Sequence, residues 1–164
     1  MVSEVSEVPA PESIRSRADA RAADRIITYR IPADRARAVS AAQWARATWE
    51  DPPLVLRTFF VFGWRAVLGL KLGQLSSPRT VLGWHIIEDR PDTVTVEAKS
   101  RLITGQNIVT VHESEVLWTT LVRYEGRIGG LVWRTVELAH RVVLPYALSR
   151  AGGAHRPEVA PEGR

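Results

Sequence analysis

The sequence contains no cysteine among its 164 residues, so disulfide bonds, thiolate nucleophiles and thiolate metal ligands are excluded. Lysine is almost absent, with only Lys71 and Lys99, and the other basic residues are arginines scattered along the chain. The net charge of +4 therefore forms no basic, aromatic-interleaved stripe, which argues against nucleic acid as a partner. No apolar run makes a comfortable membrane span, and the N-terminus lacks the apolar core of a signal peptide. We therefore expect a cytoplasmic protein.

Composition divides the chain into a predicted folded unit and two tails. Residues 1–24 are mostly Ser, Glu, Pro, Ala and Arg, which is typical of a disordered leader. Residues 151–164 carry several glycines and prolines and are predicted to be a disordered tail. Residues 25–150 remain as one domain, because 45% apolar residues in the whole chain suffice for a single core.

Residues 127–150 form the longest run in which apolar residues recur at helical spacing, and they predict a long C-terminal helix. Arg134, Glu137 and Arg141 fall on its polar side, where we expect Glu137 and Arg141 to form a solvated pair. Apolar spacing continues past Pro145, so that residue is predicted to lie within the helix and to kink it. The predicted inward side consists of Ile128, Leu131, Val132, Thr135, Val136, Ala139, Val142, Val143 and Tyr146.

Period-two alternation predicts the sheet that covers this helix. The predicted strands are residues 25–31, 80–88, 93–103, 107–112 and 115–124. The last four are joined by short turns around Arg90-Pro91-Asp92, Thr104-Gly105-Gln106 and Glu113-Ser114, which favours an antiparallel meander.

Alternation also predicts which side chains face the interior. In the strand that begins at Thr93, the inward set is Val94, Val96 and Ala98, while Thr95, Glu97 and Lys99 face water. In the last strand, the inward set is Trp118, Thr120, Val122 and Tyr124.

Two helices are predicted between the first and second strands. Ser40 and Gln43 have the spacing of a capping box, which predicts a helix over residues 41–49. Asp51 as an N-cap and Pro52 at the first helical position predict a second helix over residues 52–70. That segment is unusually apolar, and we interpret it as a helix buried on most sides. Contact with a membrane surface is the less favoured interpretation.

This layout resembles the helix-grip fold of the START/SRPBCC superfamily, which includes lipid-transfer domains, the birch pollen allergen type and polyketide cyclases. More narrowly, the chain resembles a bacterial branch known as a domain of unknown function. The similarity spans residues 25–151. Its motifs are the sequence SAAQWA from Ser40, Gly83-Trp84, Thr120-x-Val122-x-Tyr124, and Ala139-His140-Arg141 followed by Pro145.

The resemblance implies an α+β helix-grip domain: a curved antiparallel sheet wrapped around a long C-terminal helix, with two helices between the first and second strands. It also implies that an apolar small molecule, lipid-like or polyketide-like, binds between sheet and helix. We count five strands where fuller members have six or seven, so a small or partly filled cavity is expected. The predicted ligand-binding residues are Trp84, Val96, Ala98, Trp118, Thr120, Val122, Tyr124, Trp133, Val136 and His140.

The sequence offers no assigned catalytic residues, cofactor or metal site, because no His, Asp or Glu cluster has ligand spacing. His140 lies at the border of the predicted inward side of the C-terminal helix, where it either borders a pocket or fixes the helix to a neighbouring loop. The orientation of His85 is open, with the outward one favoured. Two alternatives to simple binding remain: a cyclase or hydratase that uses His85, His140 or Tyr124, and a structural or partner-binding protein whose tryptophans fill the core.

Overall fold

The computed structural model describes residues 4–155, and these form one seven-stranded antiparallel sheet with its helices. The strands are Ser6–Val8 (β1), Arg25–Pro32 (β2), Thr80–Val81 (β3), Trp84–Asp89 (β4), Thr93–Lys99 (β5), Ile103–Val111 (β6) and Glu115–Tyr124 (β7). The helices are Glu12–Arg15 (α1), Ala18–Arg21 (α2), Ala41–Trp49 (α3), Leu54–Phe62 (α4) and Arg127–Ala154 (α5), with a 3₁₀ turn at Ala36–Ala38 and a π-helical turn at Gly63–Val67.

The spatial order of the strands is β1-β2-β7-β6-β5-β4-β3, with every neighbouring pair antiparallel. Helices α3 and α4 connect β2 to β3, and α5 shares one hydrophobic core with the inner face of the sheet. The predicted helix-grip layout is therefore confirmed, with seven strands where the sequence indicated five.

The first extra strand lies in the predicted leader. β1 pairs with β2, with Glu7 opposite Tyr29. Helices α1 and α2 then cover the outer face of the sheet, where Ile14 and Ala20 form a small second core with residues of β6 and β7. The prediction of a disordered leader is wrong from residue 4 onward, because a few apolar side chains suffice where the sheet offers them an apolar outer face.

This second layer also changes the surroundings of β5. Thr95, predicted to face water, is fully buried on the outer face and donates a hydrogen bond to Glu88 (3.0 Å). Arg17, which precedes α2, donates to the same carboxylate (3.1 Å). The leader is thus tied to the sheet by polar as well as apolar contacts.

The second extra strand arises because residues 80–88 are not continuous. Leu82 and Gly83 both have positive φ angles, 45° and 89°. They form the two-residue turn of a tight hairpin in which Val81 lies opposite Trp84. The backbone N–H of Leu82 donates to the carboxylate of Glu50 (3.0 Å), which helps to hold this conformation.

The turn predicted at Thr104-Gly105-Gln106 lies instead at residues 100–102. Ser100 Oγ accepts hydrogen bonds from the backbone N–H groups of Leu102 and Ile103 (3.0 and 3.1 Å), an arrangement that fixes a turn. Gly105 lies within β6. The residue there is a glycine because a Cβ would come within 2.9 Å of the Trp84 indole. This glycine provides space for a ring and does not mark a turn.

Helix α3 has the predicted bounds and capping box: Gln43 donates its backbone N–H to Ser40 Oγ, and its side chain accepts from the N–H of Ser40. The start predicted for the next helix is wrong, because α4 begins at Leu54 with Pro53 as its N-cap residue. α4 passes directly into the π-helical turn.

The orientation predicted for α5 is also wrong. Glu137, expected to face water, is buried, with 8% of its surface exposed. Gly129 explains the difference, because a Cβ at this position would overlap the Leu102 carbonyl, so this side of the helix must face the sheet. Pro145 lies within the helix, as predicted. Six residues predicted to face inward are exposed instead: Ile128, Leu131, Thr135, Ala139, Val142 and Tyr146.

Helix α5 continues to Ala154, beyond the boundary predicted at residue 150. Ala151 is buried, and the ring of His155 lies 4.5 Å from that of Trp44. The first residues of the predicted tail are therefore packed. The rest of that tail, residues 156–164, and the first three residues of the predicted leader lie outside the described residues.

Candidate ligand-binding cavity

A cavity of about 310 Å³ lies between the inner face of the sheet, the α4 and π-helical segment, and α5. The sheet side is formed by inward side chains of β4, β6 and β7, and α5 provides the opposite side. Phe59, Phe62, Val67, Thr135 and Ala139 line the cavity and are also exposed, so they form its mouth. The cavity therefore opens to the surface between α4 and α5.

Six of the predicted ligand-binding residues line this cavity: Trp84, Thr120, Val122, Trp133, Val136 and His140. The other four belong to the surrounding core. Val96 and Ala98 are fully buried where α3 packs on β5. Trp118 packs against Trp49, with ring centroids 5.0 Å apart, and Tyr124 packs beside Gly130, outside the lining.

The lining residues outside the predicted ligand-binding set come mainly from residues 49–68. Trp49, Phe60 and Trp64 line the cavity together with the three mouth residues of this segment. Phe60 and Trp64 lie in the apolar run after Pro53, which the sequence predicts to be buried on most sides. Instead, one side of this segment lines a cavity and another side meets solvent.

One wall of the cavity is aromatic. Trp49 lies at its centre, with ring centroids 4.8 Å from Trp64 and 5.3 Å from Trp84. Phe60 stacks on Trp64 at 5.4 Å with nearly parallel rings. Large side chains that fix one another in this way give the cavity a preformed wall.

The polar part of the lining is a chain of hydrogen bonds that begins in the core. Asn107 Oδ1 accepts from Trp118 Nε1 (2.9 Å) and from the hydroxyl of Thr120 (2.7 Å). Because the only proton of that hydroxyl is used, Thr120 Oγ1 can only accept from His140 Nε2, which lies 3.2 Å away. We therefore assign the imidazole its Nε2–H form, with a free lone pair on Nδ1.

Burial keeps this imidazole neutral. Desolvation lowers the pKa of His140 to about 4; the nearby Glu137 carboxylate opposes this shift, and Arg141 adds to it. Within residues 4–155, no hydrogen-bond partner is found for His140 Nδ1 or for Trp84 Nε1, although both atoms are buried. Buried polar groups in native proteins are nearly always paired, so these two nitrogens are exceptions among the side chains that line the cavity.

Beside the cavity, an ion-pair network fixes α5 to the edge of the sheet. Glu137 accepts hydrogen bonds from Trp133 Nε1 (2.9 Å), from Arg25 and from Arg141 (3.0 Å). Desolvation raises the pKa of Glu137, but the hydrogen bonds and charges of the two arginines outweigh it and lower the pKa overall. Arg141 also binds Glu7, so the network connects α5 with β1 and β2.

The remaining candidate groups lie away from the cavity. His85 is exposed on the strand face opposite Trp84, and His112 is exposed after β6. Among residues 4–155, no group of three or more acidic or histidine side chains could hold a metal ion. None of the described residues that line the cavity is charged. The site thus combines a large apolar lining with a few neutral polar groups.

No protein-family model, curated protein or solved structure matches the chain. The relationship to the START/SRPBCC superfamily therefore stays a prediction from the sequence motifs. Over the described part of the chain, none of the helices combines the length and apolarity needed to cross a bilayer.

Proposed function

We propose that this domain is a START/SRPBCC-type module that binds an uncharged, largely apolar small molecule in the cavity beneath α5. One observation carries the proposal: an apolar cavity without charged lining residues whose lining includes Trp84 and His140, two residues with a buried ring nitrogen that has no partner among the described residues. Its volume of about 310 Å³ is at the lower end of the usual range for ligand pockets. A lipid-like or polyketide-like molecule of modest size fits this description.

The lining chemistry favours one or two neutral polar groups on the ligand. Trp84 Nε1 is a donor and His140 Nδ1 is an acceptor, so a hydroxyl can satisfy either and a carbonyl can satisfy the indole. A carboxylate or ammonium group would be buried with no opposite charge in the lining, which is costly. We therefore expect alcohols to bind better than acids or amines of the same chain length.

A cyclase or hydratase is supported less well. Of the three acid–base candidates, only His140 lines the cavity, since His85 is exposed and Tyr124 packs outside the lining. With a pKa of about 4, His140 is a weak base that remains neutral near pH 7. The filled-core alternative is also weaker, because Trp49, Trp64 and Trp84 line one wall and leave the cavity beside them.

The test compares three probes of equal chain length: decan-1-ol, decane and decanoate. We expect saturable quenching of tryptophan emission and a thermal shift with decanol, weaker effects with decane, and none with decanoate. Absence of binding by both decanol and decane would contradict the proposal. Equal affinity for decanol and decanoate would contradict the assignment of an uncharged ligand.

Two glycine variants locate the binding site. Gly63 lines the cavity, and a Cβ there would meet open space, so Gly63→Leu should occupy part of the cavity and weaken decanol binding at least about tenfold. Gly153 also has open space at its Cβ but lies outside the lining, so Gly153→Leu is a matched control. Equal loss in both variants would place the binding site elsewhere.

A further inference from the structure

Most exposed large apolar side chains of the described residues lie on two segments, residues 54–67 and 128–146; the exceptions are Ile26, Leu75 and Ile87. Proteins that act as free monomers rarely expose a continuous apolar patch of this kind. We call these two exposed faces together the outer apolar surface. Its members are Leu54, Val55, Phe59, Phe62, Val67, Ile128, Leu131, Leu138, Val142 and Tyr146.

The two parts of this surface meet at the cavity mouth. Phe59, Phe62 and Val67 from one part, and Thr135 and Ala139 from beside the other, line the same opening. The apolar surface is therefore continuous with the apolar interior of the cavity. A partner that covers it also covers the opening.

The charges around this surface are mostly positive; the exception is Asp51, which is exposed before α4 and forms no ion pair with a described residue. Glu137 is the only acidic residue in residues 54–70 and 127–154, and it faces inward within its network. Arg65, Arg127 and Arg134 are exposed, and none of them forms an ion pair with a described residue. Glu125, just before α5, is paired with Arg123. Three unpaired arginines thus border the apolar surface and outnumber its one unpaired acidic neighbour.

We propose that the outer apolar surface docks onto an anionic lipid bilayer, with its apolar side chains in the interfacial region and its arginines on lipid phosphates. Interfacial helices combine an apolar face with arginine or lysine in this way, and guanidinium groups bind phosphate bidentately. A second copy of the chain is a poorer occupant, because Arg127 and Arg134, spaced by one heptad, would face like charge in a parallel pairing of two α5 helices. Docked in this way, the cavity opens toward lipid.

Docking depends on the surface alone, so it is measured with the full chain and without any small-molecule probe. The experiment is co-sedimentation with vesicles of phosphatidylcholine and with vesicles of mixed phosphatidylcholine and phosphatidylglycerol. We expect binding to the mixed vesicles, at least about tenfold weaker binding to phosphatidylcholine alone, and a loss of binding as salt rises. Vesicle binding and decanol binding are therefore independent measurements: failure of one does not change the result expected for the other.

Matched variants test each component. Leu138→Glu on the outer apolar surface should reduce binding to mixed vesicles at least about tenfold, whereas Ile87→Glu, which changes an exposed isoleucine elsewhere, should change it less than about twofold. Arg127→Glu with Arg134→Glu should also reduce binding at least about tenfold. Arg21→Glu with Arg37→Glu, which changes charge equally away from this surface, is the control for net charge. The arginine variants do not depend on apolar packing, so they test docking even if Leu138→Glu fails to fold.

Three results overturn the proposal. The first is no binding to mixed vesicles by the unmodified chain. The second is equal loss in the surface variants and their controls, which indicates non-specific charge attraction. The third is a stable dimer by analytical ultracentrifugation that Leu138→Glu dissociates, which assigns the outer apolar surface to a second copy of the chain.

Discussion

The two faces of α5 depart in part from the usual relation between burial and polarity, because polar groups lie beside Trp133 and Leu144 on the inward face while large apolar side chains lie on the outward face. The inward face carries Glu137 and His140, and the outward face carries Leu131, Leu138 and Val142. The inward polar groups are stable there because other elements supply their partners, as Arg25 does for Glu137. An amphipathic pattern therefore locates a stripe on a helix, but the partners of the polar residues decide which face is buried.

The sharpest test of this comparison is removal of the buried carboxylate. Glu137→Ala should lower the free energy of unfolding by about 2 to 3 kcal/mol, because Trp133 Nε1 loses its acceptor and two arginines lose their common partner. Chemical denaturation measures the change. Glu113→Ala is the control, since that side chain is 86% exposed and its removal should cost less than about 0.5 kcal/mol. Equal effects of the two substitutions would restore the outward orientation of Glu137.

The pH dependence of stability tests the second inward polar group. The pKa of His140 is about 4 in the folded protein, below its ordinary value of 6.5. The unfolded chain therefore binds a proton first, and stability falls as pH decreases from about 6.5 to about 4. Near pH 5 the free energy of unfolding should be about 2 kcal/mol lower than at neutral pH.

His140→Phe separates this effect from other acid effects. The variant should lose most of the pH dependence above about pH 5, because the carboxylates titrate mainly below that value. Arg141 and Glu137, the charged groups that act on His140, are unchanged in this variant. His85→Phe is the control, since that ring is exposed and lies outside the cavity lining. A slope that persists in His140→Phe would assign the pH dependence to another group.

The hydroxyl that connects α5 to the sheet should have a smaller effect. Thr120→Val keeps the shape of the side chain but leaves the N–H of His140 without its acceptor and Asn107 without one donor. We expect a loss of between about 1 and 2 kcal/mol in unfolding free energy. Thr135→Val, at the exposed cavity mouth, should change stability by less than about 0.5 kcal/mol. An unchanged melting temperature in Thr120→Val would show that the hydrogen-bond chain is not stabilising.

Much of the fold could be predicted from local sequence patterns. The capping box gave α3 its bounds, and alternation gave β7 its bounds and inward face. Errors arose where a residue serves a distant contact: Gly105 makes room for Trp84, and Gly129 for the Leu102 carbonyl. Such contacts have no periodic signal in one sequence.

The site was predictable on its sheet side and less so on its helical sides. Alternation placed Thr120 and Val122 in the cavity, because period two leaves only two choices of face. The run from Leu54 to Val67 is apolar on nearly all sides, so its pattern could not separate a cavity wall from an exposed surface. The unpaired nitrogens of Trp84 and His140 depend on the positions of many other side chains and have no sequence signal.

The smallest expected effect concerns the outward apolar face. Leu138 is 72% exposed, so Leu138→Ala removes little buried surface and should change the free energy of unfolding by less than about 0.5 kcal/mol. Leu144, on the same helix, is 3% exposed, and Leu144→Ala should cost about 2 to 5 kcal/mol. Because both variants make the same leucine-to-alanine change, thermal and chemical denaturation of the two compare the exposed and the buried face of α5 directly. If Leu138→Ala is as destabilising as Leu144→Ala, the outer apolar surface is covered in solution. The concentration dependence of the protein's melting temperature then distinguishes self-association from packing within one chain.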